Sequence, residues 1–198
     1  SRTFEEKTRP YEKMYTDETF HKAETVFANM ARIGRELSDG KKIDIISLSG
    51  TWHSVLLCDI QMTPLTPVYP WTYTGAADLC GKYRKDAAFV SDYYHRTGCM
   101  VNATYPLFKV LYLKEQGTSL EDTYIADQGT YNNYRLTGKF VTTKSLASGS
   151  GFLNIHSRQY DDDILKSSSL LCRKAAGCTS CQKKEHFCSA YRREHRWF

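Results

Sequence analysis

Two apolar runs stand almost back to back in this chain. IDIISLSG occupies residues 43–50 and SVLLCDI residues 54–60, with only Thr51, Trp52 and His53 between them. A parallel pair of strands needs a crossover of a dozen or more residues. If both runs are strands, they must therefore pair antiparallel across a tight turn, and a sheet is fixed in the interior. On either side the periodicity turns helical. Phe20, Ala23, Phe27, Met30, Ile33 and Leu37 recur at spacings of three and four, with Thr16 or Asp17 placed to cap the helix and Gly40 to end it. A single helix is expected over about 76–97, closed by Gly98, and another from Pro106 to Gly117. TYIADQ reads as a short strand, and TYNNYRLTG as a short helix closing at Gly138. Pro64, Pro67 and Pro70 exclude a helix from MTPLTPVYPW and predict an extended, exposed passage. TTKSLASGSGF reads as a Ser/Gly-rich loop. Helices and strands alternating in this way predict an α/β fold with a mixed sheet.

Length and composition narrow the class. The 198 residues are 41% hydrophobic and 25% charged, which suits one globular domain or one lobe of a larger enzyme. No apolar run approaches the roughly 20 residues of a membrane span. The opening SRTFEEKTRP has no signal-peptide core. The expectation is a cytoplasmic protein without a membrane partner. The net charge of +5 is unevenly spread: residues 166–198 hold eight Lys or Arg against two Glu, leaving 1–165 close to neutral. A boundary is expected after Leu165, with a basic, Cys-rich and irregular tail. That tail reads as a solvated surface rather than a nucleic-acid site.

The cysteines divide the same way. Cys58, Cys80 and Cys99 are scattered through the body, like buried thiols of a reducing compartment. Cys172, Cys178, Cys181 and Cys188 crowd into the tail beside His186. Cys178 and Cys181 have the spacing of a zinc knuckle, but a second tight pair is missing, so zinc is the weaker reading.

His53 is the first candidate for a ligand-facing residue. An imidazole at a turn after a buried strand can point into a cleft, or it can be a satisfied structural group. Trp52 and Trp71 offer indole faces that stack on sugar rings as well as on core side chains. SGSG at 148–151 lacks the Lys and Ser/Thr of a phosphate-binding loop and reads as a flexible connection. Asp161, Asp162 and Asp163 read as the acidic first turn of a helix rather than as metal ligands.

Four stretches in order, SGTWHSVLLCD, PLTPVYPW, YHRTGCMVNATYPLFKVLYLKEQ and YRLTGKFVTTKSLASGSGFLNI, resemble the first lobe of the FGGY carbohydrate kinases. The gluconate kinase-like branch is the nearest in pattern, and the similarity covers about residues 10–165. The resemblance implies a ribonuclease-H-like, actin-like first lobe with a mixed sheet. It implies a sugar or sugar acid bound on this lobe, and ATP with magnesium held mainly by a second lobe. A general-base aspartate then deprotonates the sugar hydroxyl that attacks the γ-phosphate. His53 matches the family's MHS/MHG turn, and Trp71 the Trp of its WxDxR pocket motif.

The departures carry information too. Tyr73 and Gly75 stand where that motif has Asp and Arg, and Thr143 stands where DxSxAS has Asp. The family's opening DxGTTS turn, its catalytic aspartate and its nucleotide lobe have no counterpart in the stretches that match. The resemblance therefore implies an incomplete lobe, 1–165, lacking its first strands, with IDIISLSG left at an uncovered edge. No catalytic residue is assigned. ATP and magnesium belong to intact relatives and are not expected to bind this chain tightly. Its expected partners are a sugar and either a second lobe or a second copy. The alternatives are a sugar-binding or regulatory lobe without catalysis, or a Cys-rich zinc or interaction module acting through the tail.

Overall fold

The interior is built on a short antiparallel ladder. In the computed structural model, which describes residues 4–9, 20–167 and 177–178, the chain runs through α1 (Ala23–Ser38), β1 (Leu56–Cys58), α2 (Ala77–Tyr83), α3 (Ala87–Thr97), α4 (Pro106–Glu115) and β2 (Tyr124–Ala126). It continues through α5 (Gln128–Thr137), β3 (Val141–Thr142), α6 (Lys144–Ser148), β4 (Leu153–Asn154), β5 (Gln159–Tyr160), α7 (Asp162–Ser167) and β6 (Gly177–Cys178). β1 and β2 pair with Leu56 opposite Ala126 and Cys58 opposite Tyr124. β4 pairs antiparallel with β5, and β3 parallel with β6. The architecture is mixed α/β, as expected.

Successive strand residues face opposite ways, and here both faces are covered. Val55 and Leu57 enter one core with Tyr93, Phe108, Val110, Ile125 and Phe152. Leu56 and Cys58 enter a second core with Phe27, Val68, Ala126 and Tyr131. A strand buried on both faces needs a continuous apolar run, and VLLC supplies one. α4 packs in the first core and is apolar almost all round, with Leu107, Phe108, Val110 and Leu113 buried. α1 turns Ala23, Val26, Phe27 and Ala31 inward. Of the expected stripe only Ala23 and Phe27 are buried, Phe20, Met30, Ile33 and Leu37 being half-buried, and the helix begins at Ala23 with Lys22 at its N-cap rather than at Thr16 or Asp17.

The expected hairpin between 43–49 and 55–60 does not form. Residues 41–50 adopt no regular structure and lie exposed, Ile45 at 86% and Ile46 at 51%. β1 instead finds its neighbours in β2 and in the chain that follows it. The Asp59 carboxylate accepts from the N–H groups of Gln61 and Thr63 at 2.9 and 2.8 Å. Met62 takes the left-handed φ of 65°. This turn sends residues 64–69 back along β1, with Leu65 N–H donating to Leu57 O and Tyr69 N–H to Val55 O, both at 2.8 Å. The proline passage is thus extended, as expected, but only partly exposed: Leu65 faces out while Val68 is fully buried.

Three further expectations change. The helix over 76–97 is two helices, because the Asp86 carboxylate accepts from Phe89 N–H at 3.0 Å and starts α3 afresh. The Ser/Gly-rich loop contains α6, capped by Thr143 Oγ1 accepting from Leu146 N–H at 3.1 Å. Within the tail expected to be irregular, Gly177–Cys178 forms β6. The acidic triplet does open a helix. Asp162 and Asp163 sit in the first turn of α7, and Asp161 accepts from Ile164 N–H at 3.0 Å and pairs with Arg96 of α3. Cys58, Cys80 and Cys99 are buried free thiols, and burial pushes Cys58 up to about 12 and Cys80 up to about 11. Thr16, Asp17, Cys172, Cys181, His186 and Cys188 lie outside the described residues, and Cys178 is described only as part of β6. Among the described residues no helix is long and apolar enough to cross a membrane.

Candidate functional site

The turn at Thr51–Trp52–His53 delivers the first candidates. His53 holds a left-handed φ of 65°. Its Nδ1 lies 2.6 Å from the Gly149 carbonyl. A carbonyl can only accept, so the Nδ1 carries the hydrogen and donates it. A Cβ at Gly149 would come to 3.0 Å from the imidazole, so a larger residue there would crowd His53. The ring edge also meets Tyr105 and Trp52, with centroids 5.0 and 5.7 Å away. SGSG is therefore a packed turn rather than a loose connection. Gly149 backs His53, and Gly151, with a φ of 81°, leaves room for the Tyr93 hydroxyl.

The second turn follows Pro70. Lys109 of α4 is wholly buried and joins it to the first: its Nζ donates to His53 O and to Pro70 O, each at 2.6 Å. Burial lowers its ammonium to about 7. Sequence reasoning missed this residue, although a signal was present. A lysine inside PLFKVLYL, a helix with apolar residues on every side, has no solvent face to occupy.

The two departures from the WxDxR pattern turn out to be one feature. The Tyr73 side chain folds over Gly75 so closely that any Cβ at 75 would collide with the phenol. The ring packs against Phe20 and Tyr69, at 5.4 and 4.9 Å between centroids. Burial, then a hydrogen bond with Tyr112, pushes the Tyr73 phenol up to about 12. An aromatic nest thus fills the position, and Gly75 makes the space for it.

Trp71, about half exposed, stands at the mouth of a cavity of about 1100 Å³. α1, residues 46–51, α5 and the β3–α6 segment enclose it. Its polar wall includes Asn29, Gln128, Asn132, Asn133 and Thr143, and its apolar wall Met30, Ile33 and Leu136. The Gln128 amide donates to Ala23 O and Asn132 Oδ1, while its Oε1 is buried without a partner among the described residues. No Asp or Glu is among the described lining residues. Trp52 and His53 do not line this cavity. His53 borders a small neighbouring space beside Ser54 and Asp127, and Ser54 touches both spaces. Asp127 was also missed in the sequence. It caps α5 by accepting from Thr130 N–H at 2.8 Å, and burial raises its carboxyl despite the Thr130 donors.

Comparison with known proteins bears directly on this arrangement. Residues 5–182 match the N-terminal domain of the FGGY family of carbohydrate kinases. The gluconokinase of Bacillus subtilis (strain 168) is 27% identical over 146 residues, 72% of this chain and 28% of the relative. The gluconate kinase structure from Lactobacillus acidophilus superposes with a TM-score of 0.78 at 24% identity, covering 86% of this chain and 36% of that one. A ligand-bound xylulose kinase from the same organism superposes with a TM-score of 0.77 at 23% identity, over the same shares. The chain thus spans little more than a quarter of the length of the gluconokinase it matches. With the family model matching residues 5–182, this chain belongs to the FGGY family of carbohydrate kinases and matches their N-terminal domain.

Proposed function

We propose that this chain provides a sugar-binding surface of a carbohydrate kinase and, by itself, binds without transferring phosphate. The observation that carries the reading is the wall beside Trp71. Trp71 lines the same cavity as the amides and hydroxyls of Gln128, Asn132, Asn133 and Thr143. A polyol has apolar C–H faces and many hydroxyls, and this wall offers a partner to each. The ligand class is a sugar or sugar acid. Trp71 contributes directly, and Trp52 and His53 support the adjoining turn.

Among the described residues, no His, Cys, Asp or Glu side chains form a group of three or more suited to a metal. The SGSG segment is packed against His53 and Tyr93. A positioned base and a nucleotide site must come from elsewhere, in a second lobe, which makes that lobe the natural protein partner. A cytoplasmic setting follows from the same reading.

Calorimetry with gluconate, xylulose and pentitols, each with and without ATP, tests this. Saturable heat that is independent of ATP and lost in Trp71→Ala is expected. A coupled assay on the same preparation should show no turnover. Turnover that survives purification and falls with His53→Ala overturns the binding-only reading, and the absence of saturable heat with every ligand overturns the sugar reading.

A further inference from the structure

The two turns that carry the indoles are far apart in sequence, and one side chain bridges them. We propose that Lys109 is a positioning residue of the sugar-facing surface, setting the distance between the turn bearing Trp52 and His53 and the turn bearing Trp71. This rests on the reading of that surface given above.

The geometry is specific. Lys109 rises from the most buried helix, where an apolar side chain of similar length would fill the same space. Instead it brings an amine with no exposed surface to two backbone carbonyls. Each carbonyl sits where its turn begins to leave β1. His53 O belongs to the left-handed residue itself. Pro70 O also accepts from Tyr73 N–H at 3.1 Å, at the start of the turn that displays Trp71. Below this point the turns are tied by the Val55–Tyr69 bridge, with bonds of 3.0 and 2.8 Å. Above it Lys109 supplies the tie. Without the amine both carbonyls lose a donor; Pro70 O keeps that of Tyr73, while the loss at His53 O falls on the strained turn itself and drives local rearrangement.

No carboxylate contributes to the state of this lysine, and burial alone draws its proton affinity down to about 7. A charged donor binds carbonyls more tightly than a neutral amine. The clamp is therefore tightest below neutrality and relaxes above it. The titratable groups on the elements around it are His53 on the first turn, Tyr69 and Tyr73 flanking Pro70, Tyr105 just before α4 and Tyr112 on it, and Asp127 before α5.

The test follows the indole N–H signals of Trp52 and Trp71 in the full chain by NMR from below to above neutrality. Gluconate and xylulose are titrated at each end of the range. Both signals are expected to move together with one midpoint near 7. That midpoint should persist in His53→Gln, which removes the neighbouring imidazole, and vanish in Lys109→Met. Sugar binding should weaken about tenfold in Lys109→Met. Indole signals and sugar binding unchanged in Lys109→Met overturn the proposal. So does a midpoint lost in His53→Gln, or one retained in Lys109→Met. If Lys109→Met does not fold, the unaltered chain and His53→Gln decide between these outcomes. Indoles that follow Lys109 while neither sugar binds would uphold the clamp and remove the sugar reading instead.

Discussion

Residues 43–48 and residues 55–58 are made of the same kinds of side chain and end in opposite environments. Val55, Leu56, Leu57 and Cys58 are wholly or almost wholly buried, with a helix layer on each side. Ile43, Ile45, Ile46 and Leu48 are exposed, and residues 41–50 have no regular structure. The difference is not hydrophobicity. β1 has neighbours, β2 on one side and the returning 64–69 chain on the other. Residues 43–48 have no strand partner among the described residues. An apolar run becomes a strand only where other backbone completes its hydrogen bonds, and an exposed run of this kind is a template for association.

The largest effect should come from the buried side. Phe108→Ala removes a fully buried ring from the α4 core and should cost about 3–5 kcal/mol in urea unfolding. A loss below about 1 kcal/mol would mean that this layer is no better packed than the exposed edge.

Next comes the Arg96–Asp161 pair. The Asp161 side chain is 2% exposed and Arg96 28%. Burial by itself would raise the Asp161 carboxyl, but Arg96, Asn154 and the Ile164 N–H together hold it below the usual range. Asp161→Ala removes the buried partner of Arg96, which keeps Asp163 and Asp92, and should cost about 1.5–3 kcal/mol near neutrality. A depressed folded value means that stability from this group is present above about pH 4 and is lost as pH falls through the folded value. The gap between the two proteins should therefore close in acid. A gap that stays constant from neutral to strongly acid pH would show that the pair is not what holds α7 to α3.

Gly75→Ala forces a methyl into the Tyr73 phenol and should cost about 1–3 kcal/mol by overpacking. Adding Tyr73→Ala should make the second change nearly neutral, because the obstruction is gone. Additive costs in this double-mutant cycle would break the link between the two departures from the family motif.

The smallest effect belongs to the exposed edge. Ile45→Lys should alter unfolding free energy by no more than about 0.5 kcal/mol while reducing aggregation in light scattering. A large loss of stability would show that residues 43–48 are packed in solution, and the contrast with β1 would fail.

Much of the local structure was legible in the sequence because it rests on local chemistry. Pro106 and Gly117 frame α4, Gly98 and Gly138 end α3 and α5 in left-handed conformations, and the acidic triplet opens α7. These features depend on φ preferences and on capping within a few residues. The break before α3 and the presence of α6 were also local, resting on Asp86 and Thr143, but a single capping side chain is a weak signal beside a long helical period. The family pattern was legible as well, since ordered short motifs survive where overall identity is low.

What the sequence could not determine was pairing. Nothing in IDIISLSG or SVLLCDI says which strand lies beside which, because every backbone offers the same donors and acceptors. The Asp59–Thr63 turn and the meeting of residues 56–58 with 124–126 decided it. The placement of the candidate site residues was decided at the same level. Trp71 reaches the cavity and His53 does not, because Lys109 ties both turns to α4 and Gly149 claims the imidazole. Residue types and local turns belong to the sequence. Which side chain faces a ligand depends on contacts between segments far apart in the chain, and only the tertiary structure brings those together.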